Sequence, residues 1–116
     1  MIKKPFTPLD TTTCLLKTTR IDIYLFTLDS PFPETYLKLL SDEEKTRANR
    51  FHFAHHQHHF RRARLILRLI LANYLEQAPE HLKFAYGKHG KPYLPEHPEL
   101  EFNLSHSGKY ALLAIG

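Results

Sequence analysis

The chain has 116 residues, 42% of them hydrophobic, which suits about one domain with a core of its own. The net charge of +4 is compatible with a polyanionic partner, but domains without such a partner often carry a similar charge. A single cysteine excludes an internal disulfide framework, and no apolar run approaches the ~20 residues of a membrane span, so we expect a cytoplasmic protein with no membrane partner.

The N-terminal part of the chain has little regular patterning. Residues 1–19 mix two prolines with a run of three threonines, which predicts an irregular lead-in. Patterning begins near residue 20, so we expect one subdomain over residues 20–116. Its first element is a strand at residues 21–28, where β-branched and aromatic residues precede an Asp-Ser-Pro stop. Residues 33–40 predict a short helix.

A clearer helix begins at Ser41. Ser41 and Glu44 have the spacing of a capping box, in which each side chain accepts a hydrogen bond from the other residue's backbone amide. Arg47 and Arg50 lie three residues apart and project from neighbouring positions. The residues alone favour an i,i+4 ion pair of Arg47 with Glu43, worth ~0.3–0.5 kcal/mol.

Histidines are concentrated just after this helix. The pairs His52/His56 and His55/His59 have the i,i+4 spacing that chelates zinc or nickel when the segment is helical. No cysteine or carboxylate joins them nearby in sequence. A solvated, partly protonated surface is therefore the default expectation, and metal binding by the segment 52–59 stays open.

The longest predicted helix covers residues 60–75. Arg61, Arg64 and Arg68 fall within ~60° of one another on its surface, opposite an apolar face that packs into the domain. Such a charged stripe is typical of a solvated helix face.

The C-terminal third is predicted to be mostly strands. Residues 82–86 alternate in polarity, and residues 92–94 are expected to pair back on them after a glycine-bounded turn. Residues 102–105 and 109–115 form two more predicted strands. The fold class is therefore α+β, with three helices packed on a small mixed or antiparallel sheet.

Two short polar clusters in this region are not required by core packing. In the first, Gly-Lys-Pro at residues 90–92, the glycine and proline hold Lys91 on a stiff turn. The second is Asn-Leu-Ser-His-Ser-Gly at residues 103–108, which offers hydroxyls and an imidazole where a strand ends. Short polar donors beside a glycine suit a phosphate better than a core.

These clusters resemble the 4′-phosphopantetheinyl transferases of the surfactin-synthetase-activating type, residue for residue and in the same order. Residues 40–51 resemble the first conserved helix of that family, so the resemblance covers roughly residues 20–116. It implies one half of a pseudo-two-fold fold. It also implies coenzyme A as substrate, from which the phosphopantetheine arm passes to a serine of an acyl or peptidyl carrier protein in fatty acid, polyketide or nonribosomal peptide synthesis.

The resemblance also implies roles for individual residues. Lys91 is expected to contact phosphate, Ser105 and His106 the 3′-phosphate of the nucleotide, and Arg47 the same phosphate region rather than only Glu43. Some members of the family carry a lysine where this chain has Glu44, which puts one phosphate contact in doubt. The family pattern of a long arginine-bearing helix offers Arg64 or Arg68 as support for the nucleotide site or an interdomain contact.

The family's Mg²⁺ ligands are not found in this sequence. They lie on an Asp-x-Glu strand and a later helix in the C-terminal half, and no Asp-x-Glu follows the apolar strand here. We therefore expect an N-terminal fragment with no metal ligand and no catalytic group, which is inactive alone. Its expected protein partners are a carrier protein and the C-terminal half, or a second copy bound through the same surface.

Two other interpretations remain. A small basic nucleic-acid-binding domain would use Arg61, Arg64 and Arg68 on phosphates, but aromatic residues do not interleave with the basic ones on a strand, so no nucleic acid is expected. The other alternative is an interaction module that binds no ligand.

Overall fold

The computed structural model describes residues 14–17 and 21–116, and its architecture is α+β, as predicted. Two α-helices and a six-residue 3-10 helix pack with two antiparallel sheets. The strands are β1 (Cys14–Lys17), β2 (Asp22–Thr27), β3 (Ala85–Tyr86), β4 (Pro92–Tyr93), β5 (Phe102–Ser107) and β6 (Tyr110–Ile115). The helices are α1 (Asp42–Asn49), α2 (Ala54–Leu75) and the 3-10 helices Glu34–Leu39, Pro79–His81 and Lys88–Gly90.

The larger sheet has the strand order β1-β2-β6-β5, with every neighbouring pair antiparallel. Because side chains alternate along a strand, each strand has an inner and an outer face. Tyr24 and Phe26 of β2 and Leu113 of β6 are buried on the inner face, at 1%, 1% and 0% exposure. Leu25 and Leu112, which are register partners, face outward.

Helix α2 covers the inner face of this sheet. Its residues Ile66, Leu67, Ile70 and Leu71 lie in one buried cluster with the inward side chains of the strands. Each such side chain contributes about 1.5–3 kcal/mol when it is fully buried. The helix therefore fixes the position of its own N-terminal turns relative to the C-terminal hairpin.

The capping box at the start of α1 is confirmed. The Ser41 amide donates to Glu44 Oε1 at 2.8 Å, and the Glu44 amide donates to Ser41 Oγ at 3.1 Å. The helix predicted just before it is a 3-10 helix, whose last turn closes through a hydrogen bond from the Leu40 amide to the Leu37 carbonyl. Leu40 then takes an extended conformation, which ends the helix one residue before the Ser41 cap.

One strand was not predicted, and another is shorter than predicted. Cys14–Lys17 pairs with β2, where the sequence predicts an irregular lead-in, and the other residues of that lead-in lie outside the described residues. The strand predicted at 82–86 is reduced to Ala85–Tyr86, because the Leu82 carbonyl accepts a hydrogen bond from Arg68 instead of joining a ladder.

The hairpin between β5 and β6 is tight. Ser107 and Tyr110 are register partners, so the connection has two residues, and Gly108 takes its first position with φ +59°. Glycine adopts positive φ without the steric cost that a side chain brings. Among the helices of the described residues, none is long and apolar enough to cross a membrane.

Candidate functional site

Two arginines of α2 are buried against α1, and both bind one carboxylate. Arg64 Nη1 lies 3.0 Å from Glu44 Oε2, and Arg68 Nε lies 2.8 Å from Glu44 Oε1. The three residues are 6%, 2% and 1% exposed. The prediction of a solvated charged stripe is therefore wrong for Arg64 and Arg68: both are buried, and the single Glu44 carboxylate compensates one of their two positive charges.

The capping box brings the Glu44 carboxylate to this position. Its Oε1 accepts from the Ser41 amide as well as from Arg68, so the cap that starts α1 also orients the carboxylate towards α2. Arg68 Nη1 donates to the carbonyls of Pro79 and Leu82 at 2.7 and 2.9 Å. This network joins the two helices and the segment that leads to β3.

Arg64 also reaches the small β3–β4 sheet. Its Nη1 donates to the Tyr86 hydroxyl at 2.6 Å, and its guanidinium lies over the rings of Phe60 and Phe84 at 5.1 and 5.3 Å. Aromatic faces attract a cation, so these rings hold the guanidinium in place.

Arg47 lies against the ring of Tyr86, and Lys91 lies next to the register partner of Tyr86 in the small sheet. The Arg47 guanidinium is 4.1 Å from the centre of the Tyr86 ring, and its Nε donates to Glu43 at 2.8 Å. Lys91 is exposed and directly precedes Pro92, the register partner of Tyr86. The glycine turn before it has the expected positive φ, +74° at Gly90. The structure thus places both cations beside the β3–β4 sheet.

Ser105 and His106 are neighbours on β5, but their side chains take opposite faces of the sheet. His106 shares the face of Phe102 and Leu104, which is the face that α2 covers. Ser105 is the register partner of Leu112 and shares its outer face. The structure therefore does not bring these two side chains to one point.

A cavity of about 580 Å³ opens between the N-terminal turns of α2 and the β5–β6 hairpin. Of the four candidate binding residues, His106 lines it, while Arg64 connects it to Tyr86 and so to Arg47 and Lys91. The lining residues are Leu28, Phe51, His55, His56, His59, Phe60, Ala63, Arg64, Leu104, His106 and Gly108. Most of the lining is apolar, and its polar side chains are four histidines and Arg64, with no acidic side chain among them.

The histidine segment is only partly helical, because α2 begins at Ala54 and leaves His52 outside it. His58 Nε2 donates to the Ser30 carbonyl at 2.9 Å, and His59 Nε2 donates to the Asp29 carboxylate. The hydrogen bond from His59 lowers the pKa of the Asp29 carboxyl below its ordinary value. Within the described part of the chain, no three His, Cys, Asp or Glu side chains are grouped to hold a metal ion.

Several residues of this region were not identified from the sequence. Tyr86 and Phe60 carry no motif signal, and Phe51 was noted only as the end of the segment 40–51. Arg62 is fully buried, and its Nε donates to the Thr27 carbonyl at 2.6 Å. The shared contact of Arg64 and Arg68 with one carboxylate did have a sequence signal. The two arginines are four residues apart, the spacing at which one carboxylate on a packed helix can bind both.

Comparison with known proteins shows the family of the chain. The sequence family described as "4′-phosphopantetheinyl transferase, N-terminal" matches residues 30–115. The 4′-phosphopantetheinyl transferase HetI of Nostoc sp. is 41% identical over 101 residues, which cover 81% of this chain and 43% of HetI. A putative 4′-phosphopantetheinyl transferase of Synechocystis sp. is 38% identical over 95 residues, covering 80% of this chain and 39% of that protein.

A more distant relative shows the same pattern. The 4′-phosphopantetheinyl transferase Sfp of Bacillus subtilis is 25% identical over 97 residues, covering 80% of this chain and 43% of Sfp. The chain thus spans about two fifths of the length of these curated relatives.

Proposed function

Because the chain belongs to the 4′-phosphopantetheinyl transferase family, we propose that it is the coenzyme A-binding N-terminal half of such an enzyme. The observation that carries this proposal is the cavity at the β5–β6 hairpin, whose lining includes His106 and three histidines of α2 and no acidic side chain. The 3′-phosphate of coenzyme A carries close to two negative charges and suits this lining.

In the proposed reaction, the Oγ of a carrier-protein serine attacks the β-phosphorus of coenzyme A. A P–O bond to serine forms as the bond to adenosine 3′,5′-bisphosphate breaks, and the serine proton passes to a base that this half does not supply. Positioning and charge neutralisation dominate such transfers. This chain holds the nucleotide end: His106 at the 3′-phosphate, and Arg47 and Lys91 at phosphate oxygens near Tyr86. Ser105 was assigned to the same phosphate, but its outward direction makes it the weakest of the four assignments.

The family implies Mg²⁺, which would neutralise phosphate charge in the complete enzyme. Since no three potential ligands are grouped in residues 21–116, we assign no step to a metal held by this half. The proposed partners are an acyl or peptidyl carrier protein and either the C-terminal half or a second copy of this chain.

Ligand-observed NMR with coenzyme A and dephospho-coenzyme A tests the proposal. We expect weak binding, with a Kd of ~0.1–1 mM, and a preference of about tenfold or more for coenzyme A, since one charge-assisted contact contributes ~1.5–3 kcal/mol. His106→Ala should remove most of that preference. The matched control is His81→Ala, whose imidazole is exposed on a 3-10 helix away from the cavity lining.

Equal affinity for the two nucleotides in the wild-type chain would contradict this assignment. The absence of any binding or thermal stabilisation by coenzyme A would favour an interaction module instead. The nucleic-acid alternative loses support because Arg64 and Arg68 are buried and bound to Glu44, and Arg61, which is only partly exposed, donates to Asn49.

A further inference from the structure

Four of the nine histidines line one cavity. His55, His56 and His59 come from the first two turns of α2, and His106 comes from the end of β5. The ring centres of His55 and His56 are 4.1 Å apart, and those of His55 and His59 are 6.0 Å apart. At these distances more than one imidazole can contact the same anion.

The histidines of α2 have contacts of their own: the rings of His55 and His56 contact Phe53, and His59 donates to Asp29. His55 and His56 are exposed to the cavity rather than buried in the core. No metal-binding group of three side chains is present in the described residues. His58 lies outside the lining and has a role in the fold, since it donates to the Ser30 carbonyl and stacks on Phe32.

We propose that His55, His56 and His59 bind the phosphomonoester together with His106, and that this binding is coupled to the uptake of more than one proton. The proposal rests on the proposed function, because it takes the 3′-phosphate of coenzyme A as the anion. A bound dianion favours the imidazolium form of every histidine that it contacts. Affinity should therefore rise as pH falls from about 8 towards 6.5, the range in which histidine changes charge.

The charges of other groups around the cavity also affect phosphate binding. Arg64 is in the lining and Lys109 follows Gly108 of the hairpin, so both add constant positive charge in this pH range. Asp29 binds His59 and is the nearest acid identified, while Glu44 is occupied by Arg64 and Arg68. Below about pH 6 the phosphomonoester itself takes up a proton, so the pH dependence of affinity reports on the histidines only above that pH.

Calorimetry in buffers of different ionisation enthalpy measures the protons taken up on binding. At about pH 7 we expect the wild-type chain to take up more than one proton with coenzyme A and fewer with dephospho-coenzyme A. In the triple variant His55→Gln/His56→Gln/His59→Gln, uptake should fall to one proton or less, and affinity at pH 6.5 should fall about tenfold. Glutamine keeps a hydrogen-bond donor and does not titrate.

The matched control is His52→Gln/His81→Gln/His97→Gln, which removes the same number of imidazoles outside the cavity lining and should keep the wild-type uptake. As a second readout that needs no variant, the ring-proton resonances of the cavity histidines should shift with coenzyme A more than with dephospho-coenzyme A.

The outcomes separate the two proposals. If coenzyme A binds but the cavity triple variant keeps the wild-type uptake, or if the ring resonances respond equally to both nucleotides, the histidine assignment is overturned and the proposed function stands. If coenzyme A does not bind the wild-type chain at any pH, the proposed function fails, and this inference fails with it.

Discussion

The carboxylate of Glu44 lies 3.0 Å from the guanidinium of Arg64, and neither residue is more than 6% exposed. The same carboxylate binds Arg68 and caps α1. One side chain thus fixes the start of one helix, the packing of a second, and the guanidinium that faces the cavity. Stability and the geometry of the proposed phosphate site are coupled through this residue.

Glu44→Gln should therefore be strongly destabilising, because it leaves two buried guanidiniums without a compensating charge. Breaking a buried ion pair from one side costs about 3–5 kcal/mol. Glu43→Gln is the matched control: it removes an exposed i,i+4 pair with Arg47 and should cost at most about 1 kcal/mol. Urea unfolding measures both free energies, and similar losses for the two variants would contradict the buried network.

The sequence predicted the capping role of Glu44 but not its bonds to Arg64 and Arg68. The capping box is local, so its spacing is visible within four residues. The bonds to Arg64 and Arg68 join residues 20 and 24 positions apart, and only the packing of α1 on α2 brings them together. Sequence periodicity gave the common face of the arginines correctly but not what covers it.

In the proposed site, too, local patterns were visible in the sequence and tertiary contacts were not. Strand alternation was enough to separate the directions of Ser105 and His106, whereas the motif grouped them. The cavity itself depends on how far the hairpin reaches over the start of α2, which no local pattern encodes. Tyr86 connects Arg47 with Arg64 through tertiary contacts alone.

Tyr86→Phe tests this connection. The change removes the hydroxyl that accepts from Arg64 and donates to Glu43 at 3.2 Å, while it keeps the ring under Arg47. We expect a stability loss of about 1–2 kcal/mol and weaker coenzyme A binding, because Arg64 loses one of its two partners at Nη1. Tyr93→Phe, in the partner strand and 48% exposed, should change neither quantity measurably. If Tyr86→Phe is as stable as wild type, the Tyr86 hydroxyl does not stabilise the contact between Arg64 and the small sheet.

Stability at alkaline pH should depend on Tyr74. Burial raises the pKa of Tyr74 above its ordinary value, and its hydrogen bonds with Asp22 and Tyr24 raise it further. The unfolded chain ionises this phenol near pH 10, so its contribution to stability is present below that pH and is lost as pH rises above it.

In urea unfolding series between about pH 8 and pH 11, the wild-type free energy of unfolding should fall above pH 10. Tyr74→Phe should start lower at pH 8 and fall less steeply, with a remaining slope from Tyr24, whose pKa is also raised by burial. Tyr110→Phe, 49% exposed, is the control. Parallel curves for Tyr74→Phe and wild type would show that this phenol does not cause the alkaline loss.

The isolated 116-residue chain should have no transferase activity. The reaction needs Mg²⁺, and the described residues hold no group of ligands for it. The purified chain, coenzyme A, Mg²⁺ and an apo-carrier protein would be followed by mass spectrometry for the phosphopantetheinyl mass increase. Conversion above a blank without the chain would refute the prediction, and a full-length family member on the same carrier protein serves as the positive control.

The chain should self-associate through the outer face of the larger sheet. Leu25 and Leu112 are register partners on adjacent strands and remain 40% and 39% exposed, with Tyr110 at 49% near them. Exposed apolar patches of this kind mark association surfaces, and a sheet face that meets a second copy forms a two-fold, self-complementary contact.

Sedimentation velocity over a wide concentration range should show a monomer–dimer equilibrium. Leu112→Lys should shift it to monomer, because the dimer would then bury two positive charges against each other. Tyr93→Lys adds the same charge at an exposed position of the small sheet and should leave the equilibrium unchanged. If wild type stays monomeric at the highest concentration, the outer face is not an association surface for a second copy. If both lysine variants dissociate the dimer equally, net charge rather than this face controls association.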